Sequence, residues 1–308
     1  MSTISRIDGE PSQFAGLTFR RLRSVLGTLD APWFAVGATD AGAPVGLALG
    51  WLSPASEALL ISVMVAAGWR RRGLGTALLR EWQATALAQQ AVALVARHSS
   101  RLPHRVVLER CLAKAGWSAP RMASLYMAGE TGAMVTEVGR WPALAGRLLT
   151  LEGASFPSFQ LRDDHDRAAL DALVRQQLCL PTMDPKHYVA NLDPVASLAV
   201  RREEVLVGWV LAQPVGNRKL PGVPAGRHCL YYASAYIDER MAPTGLLVAG
   251  YYHSYRRQAA HYGEGSVAAL HSGLPRMQTM IRRRFGPIAL CVEEVFESRQ
   301  QPGGGSPG

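Results

Sequence analysis

Two glycines and three arginines stand together in residues 68–75, which read GWRRRGLG. Gly73 and Gly75 carry no Cβ, so the backbone can approach a ligand closely there. The arginines at 70–72 add positive charge beside them. Backbone N–H groups and arginines are the groups that bind phosphate. The spacing of these residues predicts a phosphate site, and the number of cations favours a pyrophosphate.

The flanking residues predict the elements that position this turn. Residues 59–65 are apolar and rich in β-branched side chains, which is typical of a buried strand. From residue 76 to about residue 90 the apolar positions recur at helical spacing. The free N–H groups and the dipole of a helix N-terminus attract anions. We interpret the strand, the cationic turn and the helix as a diphosphate cradle.

Two other phosphate motifs are excluded by the spacing. A Rossmann fingerprint requires GxGxxG, but Gly75 is followed by Thr-Ala-Leu rather than by a third glycine at that spacing. A P-loop requires Gly-Lys followed by Ser or Thr, which this stretch lacks. What remains is Arg70-x-x-Gly73-x-Gly75 after a strand and before a helix.

This pattern resembles the acyl-CoA motif of the GNAT superfamily of N-acetyltransferases, Arg/Gln-x-x-Gly-x-Gly/Ala. In that family the amides of the turn bind the pyrophosphate of CoA, and the preceding strand pairs with the pantetheine arm. The resemblance implies acetyl-CoA, or another acyl-CoA, as co-substrate, and no metal. The cofactor-binding residues that it implies are Val63, Val65, Arg70, Arg71, Arg72, Gly73, Leu74, Gly75 and Thr76.

Three residues are candidates for proton transfer. Family members commonly use a Glu on the motif strand as base and a Tyr on the last helix as acid. Glu57, at the start of that strand, is a candidate base, and a solvated strand-end carboxylate is the alternative interpretation. His98, at the end of the next strand, could take a proton near neutral pH or could be structural. Leu112 stands where the Tyr is expected, so Tyr126 or a water would serve as acid.

The second half of the chain repeats the first, which indicates an internal duplication. RMAPTG, at residues 240–245, stands 170 residues after RRRGLG, and the same offset joins Gly116 to Gly286, each at the end of a predicted helix. A third match pairs HSSRLP from His98 with HSGLP from His271.

The two copies differ at the motif. In this alignment Pro243 takes the place of Gly73, and proline has no N–H to offer a phosphate. One arginine remains where the first copy has three. We therefore predict an acyl-CoA site in the first copy and a degenerate second copy. Six of the nine tyrosines lie within residues 231–255, where core packing is the default interpretation and an aromatic acceptor pocket is the alternative.

The predicted fold class is α/β (α+β), with two tandem GNAT-like domains, each a mixed, mostly antiparallel sheet flanked by helices. The predicted bounds are 1–130 for the first domain, 131–157 for a connector, 158–298 for the second domain and 299–308 for a flexible tail. In the first domain, strands are expected at 33–39, 43–51, 92–97 and 122–128 and helices at 14–29 and 105–115, while an opening strand has little support.

Composition excludes several classes of protein. With 48% hydrophobic and 19% charged residues, the chain is globular. Its longest strongly apolar run, residues 58–68, is shorter than the ~20 residues that span a bilayer. The opening MSTISRIDGEPSQ has no apolar signal-peptide core. Four widely spaced cysteines without a CxxC pair indicate buried free thiols, so we expect a reduced, cytoplasmic compartment.

The net charge of +9 comes almost wholly from arginine. It suits a phosphorylated cofactor, and nucleic acid is the alternative. We rank nucleic acid last because the sequence shows neither a recognition helix nor interleaved basic and aromatic residues. We predict an acetyl-CoA-dependent N-acyltransferase acting on a small-molecule amine, with no nucleic-acid or membrane partner, that could form an oligomer. Two alternatives stay open: a GNAT-like acyltransferase or decarboxylase that uses acyl carrier protein thioesters, and a non-catalytic acyl-CoA sensor.

Overall fold

A computed structural model describes residues 2–141, 151, 153–160, 164–175, 183–215 and 220–300 of the chain. Residue contacts divide the chain into two compact units. The first unit contains Met1–Ala123 and Glu294–Gly308, and the second contains Ser124–Glu293. Each unit has its own strands and its own hydrophobic core.

The described residues form strands, α-helices and short turns of 3-10 or π helix. The strands are β1 (Thr3–Arg6), β2 (Trp33–Asp40), β3 (Ala43–Leu52), β4 (Glu57–Val65), β5 (Ala93–Ser99), β6 (Arg121–Glu130), β7 (Ala154–Ser155), β8 (Leu198–Arg202), β9 (Val205–Pro214), β10 (Cys229–Ile237), β11 (Val267–Ser272) and β12 (Cys291–Gln300). The α-helices are α1 (Val25–Thr28), α2 (Leu74–Ala88), α3 (Arg105–Lys114), α4 (Thr131–Gly139), α5 (Asp164–Arg175), α6 (Leu246–Tyr262) and α7 (Pro275–Met280).

In the first unit the strand order is β1-β2-β3-β4-β5-β12. β4 and β5 run parallel and are connected through α2, whereas the other neighbours are antiparallel. Trp82 of α2 is fully buried and stacks on Phe34 of β2, with ring centroids 5.3 Å apart. Gly50 of β3 makes room for both rings, because a Cβ there would clash with each of them. This packing fixes α2 on the sheet beside the motif turn.

Most elements predicted for the first half are confirmed, and two are not. The helix predicted at 14–29 is wrong: the segment forms short 3-10 turns and the four-residue α1. Thr18 interrupts it in an extended conformation, where its buried hydroxyl donates a hydrogen bond to Ser62 of β4 over 3.2 Å. The opening strand does exist, as β1, which pairs with β2. Its TISR sequence is mostly exposed, so it carries little of the apolar signal that identifies strands.

In the second unit the strand order is β6-β11-β10-β9-β8-β7. β10 and β11 run parallel and are connected through α6, while the other neighbours are antiparallel. The core contains Tyr232 of β10 and Tyr255 of α6, whose rings meet edge to face at 5.1 Å. The unit therefore repeats the strand–helix–strand arrangement of the first, as the duplication predicts.

Each unit contains one strand from the other half of the sequence. β6, predicted to end the first domain, pairs through residues 125–130 with β11 in the second unit. β12 pairs through residues 295–300 with β5 in the first unit. The units therefore differ in extent from the predicted domains, 1–130 and 158–298. Side-chain alternation identifies the faces of a strand, but it does not identify the strand's hydrogen-bonding partner.

Residues 131–157, predicted as a connector, contain α4 and β7. Met134 and Val138 of α4, with Trp141 after it, belong to the core of the second unit. Residues 142–150 and 152 lie outside the described residues. Of the tail predicted at 299–308, Arg299 and Gln300 end β12, and the remainder lies outside the described residues.

Candidate acyl-CoA site

The motif turn ends β4 and begins α2 with an unusual backbone. Gly73 is the N-cap residue of α2 and has a φ of 81°, in the left-handed region that favours glycine. A Cβ added at Gly73 would meet no atom within 4 Å, so conformation rather than crowding requires glycine here. Arg71 also has a positive φ, 62°. Two left-handed residues so close together turn the chain sharply onto the helix.

The N-terminus of α2 is open to an anion. No side chain caps it, and the first turn of a helix leaves its N–H groups without carbonyl partners inside the helix. These are the amides of Leu74, Gly75 and Thr76, at the positive end of a helix of 15 residues. The structure thus places the predicted phosphate donors at a free helix terminus.

The three arginines directly precede the N-cap residue of α2 and are exposed. Arg70 Nε donates a hydrogen bond to the backbone oxygen of Val65 over 3.0 Å, which ties the side chain to the end of β4. The guanidinium carbon of Arg72 lies 5.0 Å from the ring centroid of Trp69. Trp69 thus positions Arg72 beside the turn, while the exposed guanidinium groups keep donors for a phosphate.

Gly75 has a different role from Gly73. A Cβ on Gly75 would lie 3.6 Å from Cys111 Sγ of α3 and 3.9 Å from Val65, which are ordinary contacts. An alanine would therefore fit, in agreement with the Gly/Ala alternative of the motif. Gly75 marks the place where α2 and α3 approach each other.

β4 and β5 form a fork beside the cradle. They pair from Glu57 and Ala93 as far as Leu60 and Ala96, and no further pair joins them in the described chain. Ile61 is the extra residue of a bulge between β3 and β4. On the other edge of β4, Val63 and Val65 pair with β3. The edge that faces β5 is therefore open beyond Leu60, and a backbone edge of this kind needs hydrogen-bonding partners.

Glu57 lies at the closed end of the fork, at the opposite end of β4 from the cradle. Its Oε1 accepts a hydrogen bond from Arg299 Nη1 of β12 over 3.0 Å. Arg299 also bonds Glu297, whose other oxygen accepts from Arg97 Nε at 2.7 Å. Burial would raise the pKa of Glu297, but the hydrogen bonds from Arg299 and Arg97 lower it below its ordinary value. Glu57 thus ends a chain of ion pairs, and the structure does not bring it to the motif turn.

His98 lies at the open end of the fork, two residues beyond the last β4–β5 pair. Its side chain is 2% exposed, and Nε2 is 2.9 Å from Glu109 Oε1 on α3. Its ring stacks on Phe296 of β12, with centroids 5.8 Å apart. α3 carries both Glu109 and Cys111, and Cys111 is the residue that faces Gly75. The structure therefore brings His98 and the motif to the same helix.

Tyr126 lies in the second unit, on β6. Its buried hydroxyl donates a hydrogen bond to the backbone oxygen of Pro221 over 3.1 Å. Burial raises the pKa of Tyr126 above its ordinary value. Leu112, at the position of the expected acid, is buried in the core of the first unit. Neither unit by itself joins Tyr126 to the motif turn.

Sequence reasoning missed Glu109 and Phe296. Glu109 is separated from His98 by the loop before α3, and its sequence signal is only the i,i+4 pair with Arg105, whose Nε lies 3.2 Å away. Phe296 reaches this place because β12 joins the first unit, which no local pattern predicts. The described cysteines form no disulfide: Cys111 and Cys229 are half-buried and Cys291 is buried, while Cys179 lies outside the described residues.

The second unit contains the same fork and the same turn. However, the residues that form them are not the ones that the sequence alignment pairs with the first unit. β10 and β11 pair from Cys229 and Val267 as far as Tyr232 and Leu270. Gly245 is the N-cap residue of α6 with a φ of 81°, as Gly73 is for α2.

This geometry corrects the predicted alignment of the motif. Since Gly245 matches Gly73, the offset is 172 rather than 170. Pro243 consequently matches Arg71, and Leu247 matches Gly75. The argument that a proline replaces the first motif glycine is therefore wrong, because the second copy keeps that glycine and loses the next one.

The two histidines of the third sequence match lie on different faces of their sheets. His98 faces α3 through Glu109. His271 pairs in β11 with Tyr126, and its Nδ1 is 3.1 Å from the hydroxyl of Tyr231. By strand pairing, His271 corresponds to Arg97 rather than to His98. The sequence match between HSSRLP and HSGLP is therefore shifted by one residue from the structural correspondence.

The clustered tyrosines fit the core interpretation at Tyr232 and Tyr255, which are buried. The Tyr232 hydroxyl donates to Gln258 Oε1 over 2.9 Å and lies 3.0 Å from Ser254 Oγ. Burial raises the pKa of Tyr232 and of Tyr255 above the ordinary tyrosine value. These two tyrosines pack α6 against β10.

Residues 9–107 match the family described as "Acetyltransferase (GNAT) family". A search of curated proteins found no significant match. Where the chain is described, no helix is long and apolar enough to cross a membrane, and no group of three or more His, Cys, Asp or Glu side chains could hold a metal ion.

Solved structures resemble nearly the whole chain. A tandem GNAT protein from the clavulanic acid biosynthesis pathway is 14% identical, with a TM-score of 0.59 over 99% of this chain and 100% of that one. A GCN5-related N-acetyltransferase from Sphaerobacter thermophilus is 16% identical, with a TM-score of 0.56 over 98% and 96% of the two chains. A glucosamine N-acetyltransferase region of a fungal multi-domain GH3 β-N-acetylglucosaminidase is 12% identical, with a TM-score of 0.67 over 97% of this chain and 38% of that one.

At these identities the structural likeness shows the fold, which is the tandem GNAT fold. Residues 9–107 thus match the GNAT family model, and the described chain as a whole has the tandem GNAT fold.

Proposed function

We propose that the protein is an acetyl-CoA-dependent N-acyltransferase with one acyl-CoA site, in the first unit, and a small-molecule amine as acceptor. The observation that carries this proposal is the cradle at the start of α2. Gly73 adopts a left-handed conformation before an uncapped helix N-terminus, and three exposed arginines lie beside it. Amides and guanidinium groups together recognise the pyrophosphate of CoA.

The fork supports the same ligand. The edge of β4 beyond Leu60 is free to pair with an extended chain, as exposed sheet edges do when they bind peptides. The pantetheine arm contains two amide groups and is extended, so it would pair along Val63 and Val65. The thioester would then lie within the fork, at the level of His98 in the open part of β5.

The reaction requires positioning and the transfer of one proton. The amine nitrogen attacks the thioester carbon, a C–N bond forms and the C–S bond breaks. The nitrogen loses one proton and the sulfur gains one. Holding both reactants in the right geometry supplies much of the rate of such a step. A site without the Tyr acid, such as this one with Leu112, can therefore still catalyse it.

The test is a screen of primary amines with acetyl-CoA, in which free CoA thiol and the mass of the acylated amine are both measured. The proposal predicts amine-dependent thiol release with a matching product. Saturable binding of acetyl-CoA without turnover on any amine would favour the acyl-CoA sensor. Turnover of an acyl carrier protein thioester, with no binding of acetyl-CoA, would favour the carrier-protein alternative.

A further inference from the structure

His98 has one hydrogen-bonded nitrogen and one nitrogen without a partner. Nε2 lies 2.9 Å from Glu109 Oε1. Nδ1 is buried and has no hydrogen-bond partner in the part of the chain that the structure describes. A buried polar atom without a partner costs free energy, because it has lost its water and gained nothing. Such an atom calls for a functional explanation, since most buried polar groups in proteins are paired.

Glu109 decides which nitrogen of His98 carries the proton. An ionised carboxylate only accepts hydrogen bonds, so the nitrogen that faces it must donate. Arg105 Nε lies 3.2 Å from the same carboxylate oxygen. The guanidinium carbon of Arg105 is also 4.9 Å from the ring centroid of Phe296, on which His98 stacks. Against an ionised Glu109, the neutral imidazole of His98 would carry its proton on Nε2 and leave Nδ1 as an acceptor.

The position of this pair relates it to the acyl-CoA site. His98 lies beyond the last β4–β5 pair, where the fork is open. Glu109 lies on α3, and two residues later Cys111 faces Gly75 of the motif. Leu112, at the position of the expected acid, belongs to the same helix. The pair thus shares α3 with Cys111, which faces the motif, and with the position of the expected acid.

We propose that Nδ1 of His98 carries the proton from the acceptor nitrogen to the CoA sulfur, and that Glu109 is the positioning residue that holds His98 in the tautomer this requires. This inference rests on the proposed acyltransferase function. As the C–N bond forms, Nδ1 takes a proton from nitrogen, and Glu109 stabilises the resulting imidazolium through Nε2–H. As the C–S bond breaks, Nδ1 gives that proton to the sulfur. The ring ends in its starting state, and no other reactant is needed.

The tautomer is measured first, by NMR of the full chain labelled with ¹⁵N-histidine and assigned with His98→Gln. The proposal predicts a protonated Nε2 and an unprotonated Nδ1 in the unmodified chain. In Glu109→Gln the amide can present either its oxygen or its NH₂ group, so we expect the tautomer to become mixed. Glu109→Asp keeps a carboxylate and should retain the original tautomer. A protonated Nδ1 in the unmodified chain, or an unchanged tautomer in Glu109→Gln, would overturn the assignment whether or not the chain turns over acetyl-CoA.

Kinetics test the consequence for the reaction, with an amine found in the thiol-release screen. General acid–base groups contribute about 10²- to 10⁴-fold, so we expect a loss of kcat in that range for His98→Gln and a smaller loss for Glu109→Gln. The KM for acetyl-CoA should stay unchanged, and Glu109→Asp should restore part of kcat. Asp8→Asn, which breaks the exposed Arg6–Asp8 pair of the same unit, is the matched control. Equal kcat in Glu109→Gln and the unmodified chain refutes the positioning role, whereas no turnover of any amine by the unmodified chain refutes the proposed function itself.

Thermal unfolding of each variant separates this role from a structural one. A Glu109→Gln chain that keeps its melting temperature and its affinity for acetyl-CoA, but loses kcat, supports positioning. A chain that loses kcat only in proportion to the fraction unfolded contradicts it.

Discussion

The two units have the same backbone conformation at the start of the equivalent helix, but the residues beside that helix differ in charge. Gly73 and Gly245 both have a φ of 81° and both begin a helix that follows a strand of nine residues. In the first unit three exposed arginines lie beside an uncapped terminus. In the second, the Leu246 amide donates to the hydroxyl of Thr244 over 3.4 Å. The second unit thus keeps the turn of the motif, but the Thr244 side chain already accepts a hydrogen bond from one amide of the helix terminus, that of Leu246.

Arg240, the one arginine of the second turn, is already paired with a carboxylate. Arg240 Nε donates to Asp238 Oδ1 over 3.0 Å, and the hydrogen bonds from Arg240 lower the pKa of Asp238 below its ordinary value. In the first turn Arg70 donates to the neutral carbonyl of Val65, so its charge is not cancelled by that bond. The comparison teaches that the fold supplies a helix terminus in both units, whereas the chemistry of the surrounding residues decides whether it can bind a phosphate.

The largest effect is expected from removing the strand that the first unit receives from the end of the chain. A chain that ends at Glu293 loses the pairing of β5 with residues 295–300 and the hydrogen bond between Gln83 and Gln300. We expect it to lose acetyl-CoA binding, measured by calorimetry, because β5 becomes an exposed edge at the fork. The fragment 1–150 lacks the same strand and should be poorly soluble or inactive. A chain that ends at Gln300 is the control and should bind as the full chain does; normal binding by the chain ending at Glu293 would show that β12 is dispensable.

The next largest effect is expected at the glycine that begins each helix. Gly73→Pro forces φ to about −65° where 81° is observed, and so distorts the turn that presents the amides of Leu74, Gly75 and Thr76. Acetyl-CoA binding should be abolished. Gly245→Ala places a strained residue at the same backbone position of the second unit, at a cost of about 1 kcal/mol in stability. It should lower the melting temperature slightly and leave the Kd unchanged; a Kd that changes with Gly245→Ala but not with Gly73→Pro would reverse the roles of the units.

A smaller effect is expected from the arginines. Replacing Arg70 and Arg72 together by Gln should weaken CoA binding by about 10- to 100-fold, because charge-assisted hydrogen bonds to phosphate are lost from an exposed site. A truncated pantetheine thioester, which has no pyrophosphate, should bind equally well before and after. Arg240→Gln is the matched control in the second unit and should change neither affinity. Equal losses for CoA and for the truncated thioester would mean that the two arginines do not contact the phosphates.

The smallest effect concerns cysteine reactivity. Cys111 faces Gly75, so acetyl-CoA should shield it from alkylation, by about tenfold at ten times the Kd. Burial raises the pKa of Cys229, in the second unit, to about 11. A thiol stays protonated below its pKa, so Cys229 should react slowly at pH 8 with or without ligand. Mass spectrometry of the alkylated peptides measures both; protection at Cys229 but not at Cys111 would place the ligand in the wrong unit for this account.

Much of the first unit is predictable because its signals are local. Strands such as β2 and β3 are marked by apolar residues, and α2 by its amphipathic pattern. The cradle is predictable because Gly73 must adopt a positive φ, and few residues other than glycine do so readily. A local pattern is enough to predict an element wherever residues close in sequence determine its conformation.

The remainder depends on partners that are distant in sequence. The pairing of β5 with β12, and hence the contact of Phe296 with His98, joins residues about 200 positions apart. The predicted register of the second motif differs from the structure by two residues, because Gly73 and Gly75 are themselves two apart and only the N-cap position requires the left-handed conformation. RMAPTG contains one glycine, and only the backbone conformation shows that this glycine corresponds to Gly73 and not to Gly75.

The central claim, that the first unit alone binds acyl-CoA, is tested most directly by the stoichiometry of acetyl-CoA in a calorimetric titration of the full chain. One site per chain is predicted, with saturation described by a single Kd. The same titration of Gly73→Pro should show no binding, while that of Gly245→Ala should again show one site. Two sites per chain, or one site that survives Gly73→Pro, would contradict the account.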